Sequence, residues 1–500
     1  MDNTYDRPRG RFTRRKFLGL VGVGAGAGAL ALPGLGLLVP GPRAALPPAV
    51  SATPTGRVRA YTLTAAPLAF AVPGQNMATW GYNGGVPGPE LRLTAGDTLR
   101  VTVENRLPAE TTIHWHGLPI ANAMDGVPGV TQPPIGAGQD FTYEFPVPVA
   151  GTYMYHSHVG LQLDRGLYGP LIVESARETL SYDREFVLLL DDWLDGLPGT
   201  PEDTYRQLIA GGDQMGGMGN MGGMGGGMSA PPAQTPPDVT YPFYLINGKA
   251  SAAPEELRVR RGETVRLRLI NPSAATIYRV ALAGHRLTVT HTDGQPVEPV
   301  EVDAVRIGQG ERYDVLVRAD NPGVWQLAAQ AEGTTSLARA LFRYEGELAT
   351  PPPPDFLPPE LGRQLLLYGM LKAAPEAVVP PRAEPDQTVA ISLGGGMGQY
   401  VWTINGETFA KAQPLAVRRD RHIRFQFQNM SMMPHPMHLH GHFFQVDNGT
   451  GRGPLKDTVL VEPMQQLAID WVSDNPGDWA FHCHNAYHQE AGMMRVVRVS

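Results

Sequence analysis

The sequence predicts an all-β protein built from three consecutive β-sandwich domains, and three observations lead to that prediction. Glycine (59 residues) and proline (47 residues) make up about a fifth of the 500 residues, against about 12% in typical proteins. Charged residues make up 18%, below the usual share of about 25%, which argues against a coiled coil or a charge-rich disordered chain. The third observation is a strand–turn–strand pattern that occurs three times. Together these features are typical of many short strands joined by turns.

The three copies of this pattern lie roughly 160 residues apart. In the first copy, apolar and polar residues alternate on both sides of the turn at 95–97. Alternation with a period of two is the signature of a half-buried strand. We therefore predict one sandwich used three times, at 53–176, 177–350 and 386–500. The apolar positions are Leu91, Leu93, Leu99, Val101 and Val103; Leu257, Val259, Val265, Leu267 and Leu269; and Leu415, Val417, Ile423, Phe425 and Phe427.

The first 52 residues are expected to be an export signal and a linker. Arg14 and Arg15 precede a stretch rich in glycine, alanine and leucine, and a twin-arginine pair before a mildly apolar region is a bacterial export address. Glycines and Pro33 dilute the stretch, so no stable membrane anchor is expected. We expect the mature protein to work in the periplasm or at the cell exterior.

Charge and cysteine content exclude further classes. The net charge is -7 and the isoelectric point is near 6.1, which argues against nucleic acid as a partner. Cys483 is the single cysteine, so the chain cannot form an internal disulfide. A lone cysteine flanked by histidines suggests a metal or catalytic site.

Two segments interrupt the strand pattern. Residues 351–385 are proline-rich and are expected to be a linker between the second and third sandwiches. Residues 211–230 contain methionines among glycines, and thioethers are soft ligands that select Cu(I). This loop is therefore a candidate for Cu(I) recruitment, and the alternative is a low-complexity insertion without function. Its methionines are Met215, Met218, Met221, Met224 and Met228.

Two H-x-H pairs lie in the first predicted sandwich, at 114/116 and 156/158. Residues i and i+2 of a strand face the same side, about 6.6 Å apart. Each pair therefore aims two imidazoles at one place. The alternative, two pairs of ordinary structural histidines, is less favoured because the pair occurs twice in one domain.

The last predicted sandwich adds a sulfur ligand. In the sequence 482–484, Cys483 points to one strand face and both flanking histidines point to the other. His488 and Met493 follow five and ten residues after Cys483, and His435 lies upstream. Two histidines, a cysteine and a thioether form the ligand set of a blue copper electron-transfer site.

With these motifs, the mature chain resembles the multicopper oxidases of the laccase and copper-resistance type. The resemblance implies cupredoxin-like Greek-key sandwiches and four copper ions: one type 1, one type 2 and two type 3. The matching type 1 ligands are His435, Cys483, His488 and Met493. The matching cluster ligands are His114 and His438 for type 2 copper, His116, His156 and His484 for one type 3 copper, and His158, His440 and His482 for the other. Met494 is an off-register rival of Met493.

The resemblance also implies a mechanism. Electrons pass from the type 1 site through Cys483, His482 and His484 to a cluster shared by the first and last sandwiches, and the middle sandwich is expected only to complete the architecture. Asp125 matches a carboxylate that assists proton delivery. At the place where some relatives carry a glutamate relay, this chain has Gln489, followed by Glu490.

The expected function is that of a copper-dependent oxidase, with dioxygen and a Cu(I) ion or small aromatic compound as partners, acting as a monomer. Met430, Met432, Met433 and Met437 surround His435 and suggest a second soft surface. The alternatives are a purely phenol-directed laccase and a copper-sequestering protein without turnover. The remaining histidines, expected to be structural or solvated, are His285, His291, His422 and His442.

Overall fold

A computed structural model describes residues 52–211, 234–379, 384–396 and 398–500. The regular secondary structure of the described residues is almost entirely β-strand. It includes two α-helices, α1 (Pro201–Gly211) and α2 (Ala486–Glu490). Short 3-10 helices lie at Asn122–Met124, Gln162–Arg165, Pro359–Gly362, Tyr368–Met370 and Pro375–Ala377. The predicted all-β class is confirmed. Within the described ranges, no helix has the length and apolar character needed to cross a membrane.

The first sandwich consists of two four-stranded sheets, with the orders β2-β1-β4-β6 and β3-β8-β7-β5. Its buried faces share a core of alternating strand residues and aromatic rings, among them Trp115 and Tyr143. The strands are β1 (Val58–Val72), β2 (Gln75–Tyr82), β3 (Leu91–Thr94), β4 (Thr98–Asn105), β5 (His114–His116), β6 (Asp140–Pro146), β7 (Gly151–His156) and β8 (Tyr168–Glu174).

The middle sandwich has a seven-stranded sheet, β11-β10-β9-β13-β18-β15-β16, and a five-stranded sheet, β12-β20-β19-β14-β17. The strands are β9 (Arg184–Trp193), β10 (Phe243–Ile246), β11 (Lys249–Ala250), β12 (Glu255–Val259), β13 (Thr264–Ile270), β14 (Tyr278–Leu282), β15 (Leu287–Thr292), β16 (Gln295–Val302), β17 (Ala304–Ile307), β18 (Arg312–Arg318), β19 (Val324–Ala331) and β20 (Leu337–Tyr344).

The last sandwich has a six-stranded sheet, β22-β21-β24-β29-β26-β27, and a five-stranded sheet, β23-β31-β30-β25-β28. The strands are β21 (Gln387–Gly395), β22 (Trp402–Ile404), β23 (Leu415–Val417), β24 (His422–Asn429), β25 (His435–Leu439), β26 (Phe444–Asp447), β27 (Leu455–Lys456), β28 (Thr458–Val461), β29 (Gln466–Val472), β30 (Gly477–Cys483) and β31 (Met494–Val499).

The repeat predicted from the sequence is visible as a shared topology. Each predicted strand–turn–strand unit becomes β3–β4, β12–β13 or β23–β24, and its two strands lie in opposite sheets. In every sandwich, each strand of the unit pairs in parallel with a strand of its own sheet. The turn between the two strands therefore carries the chain from one sheet to the other.

One face of β13 departs from the simple alternation. Its polar residues Arg266 and Arg268 are buried rather than exposed, because this face packs against the first sandwich. Arg268 Nη1 donates to Thr152 Oγ1 at 2.8 Å, and Arg266 pairs with Asp314 at 2.6 Å. Charged strand residues are thus used to join two sandwiches.

Where it is described, the proline-rich segment 351–385 packs along the middle and last sandwiches. Leu361 and Leu365 lie in a small core with alanines of the middle sandwich, and Ala373 and Ala377 pack with Leu455 of the last one. Its apolar residues are thus used for packing.

Candidate metal centres

Four buried histidines of the first sandwich face outwards from its core. Trp115 points into that core, so His114 and His116 on either side of it share the opposite face of β5. Strand β5 pairs with β7, and His114 lies directly opposite His156. His158 follows two residues later and is also buried.

Four buried histidines of the last sandwich face the first four. Strand β25 pairs with β30, with His438 opposite His482. The two sets meet closely: His438 Nε2 lies 3.4 Å from His114 Nε2, and His158 Nε2 lies 3.3 Å from His482 Nε2. The structure thus brings together all eight cluster histidines predicted from the sequence, including His440 and His484.

The ring nitrogens of these histidines approach one another in overlapping groups. Nitrogens within 4.8 Å of one another occur in His114, His438 and His440, in His114, His116 and His156, and in His158, His440 and His482. The ring centroids of His116 and His156 lie 4.9 and 5.3 Å from that of His484. Several buried nitrogens of these three rings lack a hydrogen-bond partner in the described part of the chain: His116 Nδ1, His156 Nε2 and both ring nitrogens of His484.

Each imidazole has an inner nitrogen, which faces the other histidines, and an outer nitrogen, which faces away from them. The hydrogen-bond partner of the outer nitrogen shows whether the inner nitrogen can bind a metal. His114 Nδ1 lies 2.9 Å from the carbonyl oxygen of Asp125, and His438 Nδ1 lies 2.8 Å from that of Asp457. Since a carbonyl oxygen only accepts, Nδ1 donates and Nε2 retains its lone pair. His482 Nδ1 is held in the same way by a carbonyl oxygen, at 2.9 Å. Buried imidazoles with free lone pairs facing one another fit a group of copper ions.

Burial keeps at least four of these imidazoles neutral. Desolvation, with the neighbouring histidines, lowers the pKa of His156 to about 3. The same two causes hold the pKa values of His158, His440 and His482 well below the ordinary range. Metal ligation requires the neutral ring, so these four rings can bind a metal at neutral pH.

Two buried carboxylates lie behind the histidines. Asp125, predicted from the sequence, has its oxygens 3.2 Å from His114 Nδ1 and 3.0 Å from His440 Nδ1. Asp457, which sequence reasoning missed, lies 3.1 Å from His116 Nε2. No local motif marks Asp457, because its role depends on strands far apart in the chain.

The second centre contains the cysteine. His435 Nδ1 and His488 Nδ1 are 3.1 Å apart, and Cys483 Sγ lies 3.6 Å from each of them. The side chain of Asn485 caps α2 by accepting from the backbone N–H groups of residues 487 and 488, which turns His488 back towards the thiol. Burial raises the pKa of the Cys483 thiol, so binding a metal must displace a proton there.

The axial candidate also lies beside this centre. Met493 is fully buried, and its carbonyl oxygen accepts from the backbone N–H of Cys483 at 3.1 Å. Met494 packs instead with Val127 and Ala480. Met493 thus follows Cys483 in backbone pairing, and its role as the axial ligand stays a prediction.

The outer nitrogens of the two histidines in this centre are both occupied. His435 Nε2 lies 2.7 Å from Ser431 Oγ. His488 Nε2 lies 3.1 Å from Asp238 Oδ2, a buried carboxylate that also accepts from the hydroxyl of Tyr400. Asp238 comes from the middle sandwich, so the expectation that this sandwich only completes the architecture is wrong.

Met215, Met218, Met221, Met224 and Met228 are outside the described residues. The remaining histidines and the pair 489/490 do not belong to either centre. His285 bonds Tyr344, and His442 packs against Trp471. His291 lies 3.1 Å from Thr290 Oγ1, and His422 lies 3.5 Å from an Asp470 oxygen. Gln489 and Glu490 end α2.

Comparisons with known proteins place the chain in a family. Three family models described as multicopper oxidase match residues 67–178, 184–347 and 382–500. The chain is 44% identical to multicopper oxidase MmcO of Mycobacterium tuberculosis, over 98% of this chain and 97% of the relative. It is 30% identical to copper resistance protein A of Escherichia coli, over 88% of this chain and 92% of the relative.

Solved structures show the same fold. A multi-copper oxidase from Pseudomonas thermotolerans is 29% identical, with a TM-score of 0.69 over 89% of this chain and 99% of that one. A laccase from Botrytis aclada is 27% identical, with a TM-score of 0.72 over 89% of this chain and 88% of that one.

Proposed function

Because the chain belongs to the multicopper oxidase family and is a copper-dependent oxidoreductase, we propose that it couples one-electron oxidation of Cu(I) to four-electron reduction of dioxygen to water. Its fold is that of three cupredoxin-like sandwiches. The observation that carries the proposal is the covalent continuity of residues 482–484. Cys483 belongs to one centre, and its two neighbours belong to the other.

Four copper ions are proposed, with the ligands expected from the sequence. The type 1 site takes His435, Cys483, His488 and Met493. The type 2 site takes His114 and His438. The type 3 sites take His116, His156 and His484, and His158, His440 and His482. When bound, the ions would store single electrons and deliver four of them to one dioxygen molecule.

Asp125 is the proposed proton-delivery group. Reduction of dioxygen to water consumes four protons, and the cluster is buried. The Asp125 oxygens lie behind His114 and His440, which are ligands of the proposed type 2 site and of a proposed type 3 site. A proton held at Oδ2 is therefore one residue away from the cluster. Gln489 has no carboxyl proton to give, so we assign the relay to Asp125.

Exposed methionines support Cu(I) as the electron donor. On the loop before β25, Met430 and Met432 are 61% and 47% exposed, whereas Met433 is buried. Ser431 lies between the two exposed residues and bonds His435 Nε2. Met464, which sequence reasoning missed, is 55% exposed on a neighbouring turn. Its turn is joined to this loop because Asn429 N–H donates to the carbonyl of residue 465.

These thioethers form a soft surface beside the type 1 ligands, and soft ligands select Cu(I). The methionine-rich loop 211–230 is proposed to recruit Cu(I), since its thioethers are soft ligands.

A phenol-directed laccase is the second candidate function. Ser431 and Asp238 take the outer nitrogens of both type 1 histidines. The other Asp238 oxygen has no hydrogen-bond partner in the described part of the chain, and a carboxylate oxygen can accept from a phenol hydroxyl. A sequestration role without turnover finds no support in the family match. Small aromatic donors remain secondary substrates.

The test removes thioethers without changing shape. Met430→Leu/Met432→Leu keeps the apolar volume and should lower kcat/KM for Cu(I) about tenfold, measured as oxygen uptake. A bulky phenol serves as the internal control and should be oxidised at the wild-type rate. Equal losses with both donors would overturn the Cu(I) proposal.

Export by the twin-arginine route to the periplasm or cell exterior is also proposed, on the strength of Arg14 and Arg15. Arg14→Lys/Arg15→Lys should leave the protein in the cytoplasmic fraction. Normal export of this variant would contradict the proposal.

A further inference from the structure

We propose that Arg312 of the middle sandwich is a positioning residue for the histidine cluster: through Asp457, it holds His116 in the tautomer that offers Nδ1 to a copper ion. The inference rests on the proposed ligand assignment and adds to it a function for the middle sandwich.

Arg312 contacts all three sandwiches from a fully buried position. Its Nε donates to the carbonyl oxygen of Thr152 in the first sandwich at 3.1 Å. Its Nη1 donates to the carbonyl of Gly310 in the middle sandwich at 2.9 Å. Both Nη atoms donate to Asp457 of the last sandwich, at 2.7 and 2.6 Å. The planar fork of a guanidinium matches a carboxylate in this way and a lysine ammonium does not.

Asp457 transmits this contact to His116. A carboxylate paired with a guanidinium is ionised and only accepts hydrogen bonds. His116 Nε2, 3.1 Å from Asp457 Oδ1, must therefore be the N–H donor, and Nδ1 must carry the lone pair. That Nδ1 atom is buried and has no hydrogen-bond partner in the described ranges.

His116 is oriented differently from its neighbours. Five other cluster histidines bind their outer partner through Nδ1, and in two of these the partner is the carbonyl of the next residue: His156 bonds Ser157 and His482 bonds Cys483. The partner of His116 lies 341 residues away. Local backbone thus orients those two rings, whereas tertiary contacts must orient His116. The five are His114, His156, His438, His440 and His482.

The residue after His116 leaves room for this pair. Gly117 has φ +86°, a conformation that favours glycine. A Cβ atom there would lie 2.4 Å from Arg312 Nη2 and 2.6 Å from Asp457 Oδ2. The guanidinium and the carboxylate therefore approach the backbone beside His116 as closely as glycine permits.

Further buried charges surround the pair, and they decide which variants are useful. Asp293 lies 3.7 Å from Arg312 and 3.1 Å from Lys456, which also lies 3.0 Å from Glu311. Removing one charge from such a network leaves its partner uncompensated in the interior. The first variant therefore keeps the charge and removes the fork, and any variant that removes a charge needs a separate check of folding.

The experiment compares Arg312→Lys with the wild type after full copper loading. We expect a loss of about one copper ion per chain, because outer partners of this kind tune metal affinity about 10- to 100-fold. The remaining ion of the type 3 pair should become visible by electron paramagnetic resonance, since it has lost its coupled neighbour. The blue absorption should persist, because its ligands lie in the last sandwich.

Asp457→Asn is the second variant. Its amide can donate to His116 Nε2, which favours the opposite tautomer, so the same copper loss is expected. The matched control is Arg266→Lys: Arg266 is an equally buried arginine of the middle sandwich, and its side chain bonds Glu178 and Asp314. Thermal unfolding of the copper-free proteins and the blue absorption identify any variant that fails to fold.

Full copper content and an unchanged resonance spectrum in both folded variants would overturn the inference. So would an equal loss in Arg266→Lys, which would indicate general destabilisation. A wild-type protein that binds no copper at the cluster would instead refute the proposed function, and the two failures are therefore distinguishable.

Discussion

The two centres differ in what must fold before each of them exists. His435, Cys483 and His488 all come from the last sandwich, where their facing side-chain atoms contact one another. The eight-histidine cluster takes half of its rings from the first sandwich and half from the last. The facing atoms of the cysteine-containing centre thus come from one sandwich, whereas the cluster is an interface.

This difference teaches that the ligands of the cluster meet only when two sandwiches pack together, whereas those of the cysteine-containing centre meet within one. The middle sandwich adds an outer contact to both: Arg312 joins three sandwiches at the cluster, and Asp238 bonds His488 at the other centre. Changes at one centre should therefore leave the ligands of the other in place. Two predictions test this separation, and a third concerns the cluster alone.

The largest effect is expected from Cys483→Ser. Loss of the thiolate should abolish the blue absorption and lower donor oxidation by at least about a thousandfold, because a hydroxyl is not a soft ligand. Copper content at the cluster should remain, as measured by metal analysis. Loss of all copper would show that the two centres are not independent.

A smaller effect is expected from Asp125→Asn. The amide oxygen can still accept from His114 or His440, but no carboxyl proton is available, so oxygen reduction should slow about 100-fold. Oxygen uptake measured across pH tests this, and anaerobic reduction of the type 1 site serves as the control. Wild-type oxygen reduction at every pH would eliminate Asp125 from proton delivery.

The smallest effect concerns the copper-free protein. Burial, with the neighbouring histidines, lowers the pKa of His156 to about 3, whereas an unfolded histidine titrates near about 6.5. Between these two pH values, the unfolded state therefore binds more protons than the folded state. The free energy of unfolding that the neutral His156 ring preserves is fully present above about pH 6.5 and is lost as the pH falls towards about 3.

His156→Gln removes one such group and should flatten the decline of the urea midpoint between about pH 6.5 and 4. Both proteins are measured without copper. An unchanged slope would mean that His156 does not remain neutral in the folded state.

Much of the site follows from short-range patterns. The spacing of 114/116 and 156/158 places each pair on one side of a strand, and the alternation around Cys483 separates sulfur from imidazole. The strands β3–β4, β12–β13 and β23–β24 were equally predictable, because side-chain alternation reports burial on one sheet face.

Other features could not be predicted in this way. The buried arginines of β13 look like a solvated strand face until the first sandwich covers them. Asp238 and Asp457 have no motif, since each acts on a histidine more than two hundred residues away in the chain. Met464 differs from an ordinary core methionine only because its turn projects it into solvent.

The sequence by itself determined which residue types carry the chemistry and which of them share a strand face, because strand geometry is local. Only the tertiary structure decided which carboxylates hold His116, His440 and His488. Those contacts are hydrogen bonds between sandwiches, and such bonds form only after distant strands have packed together.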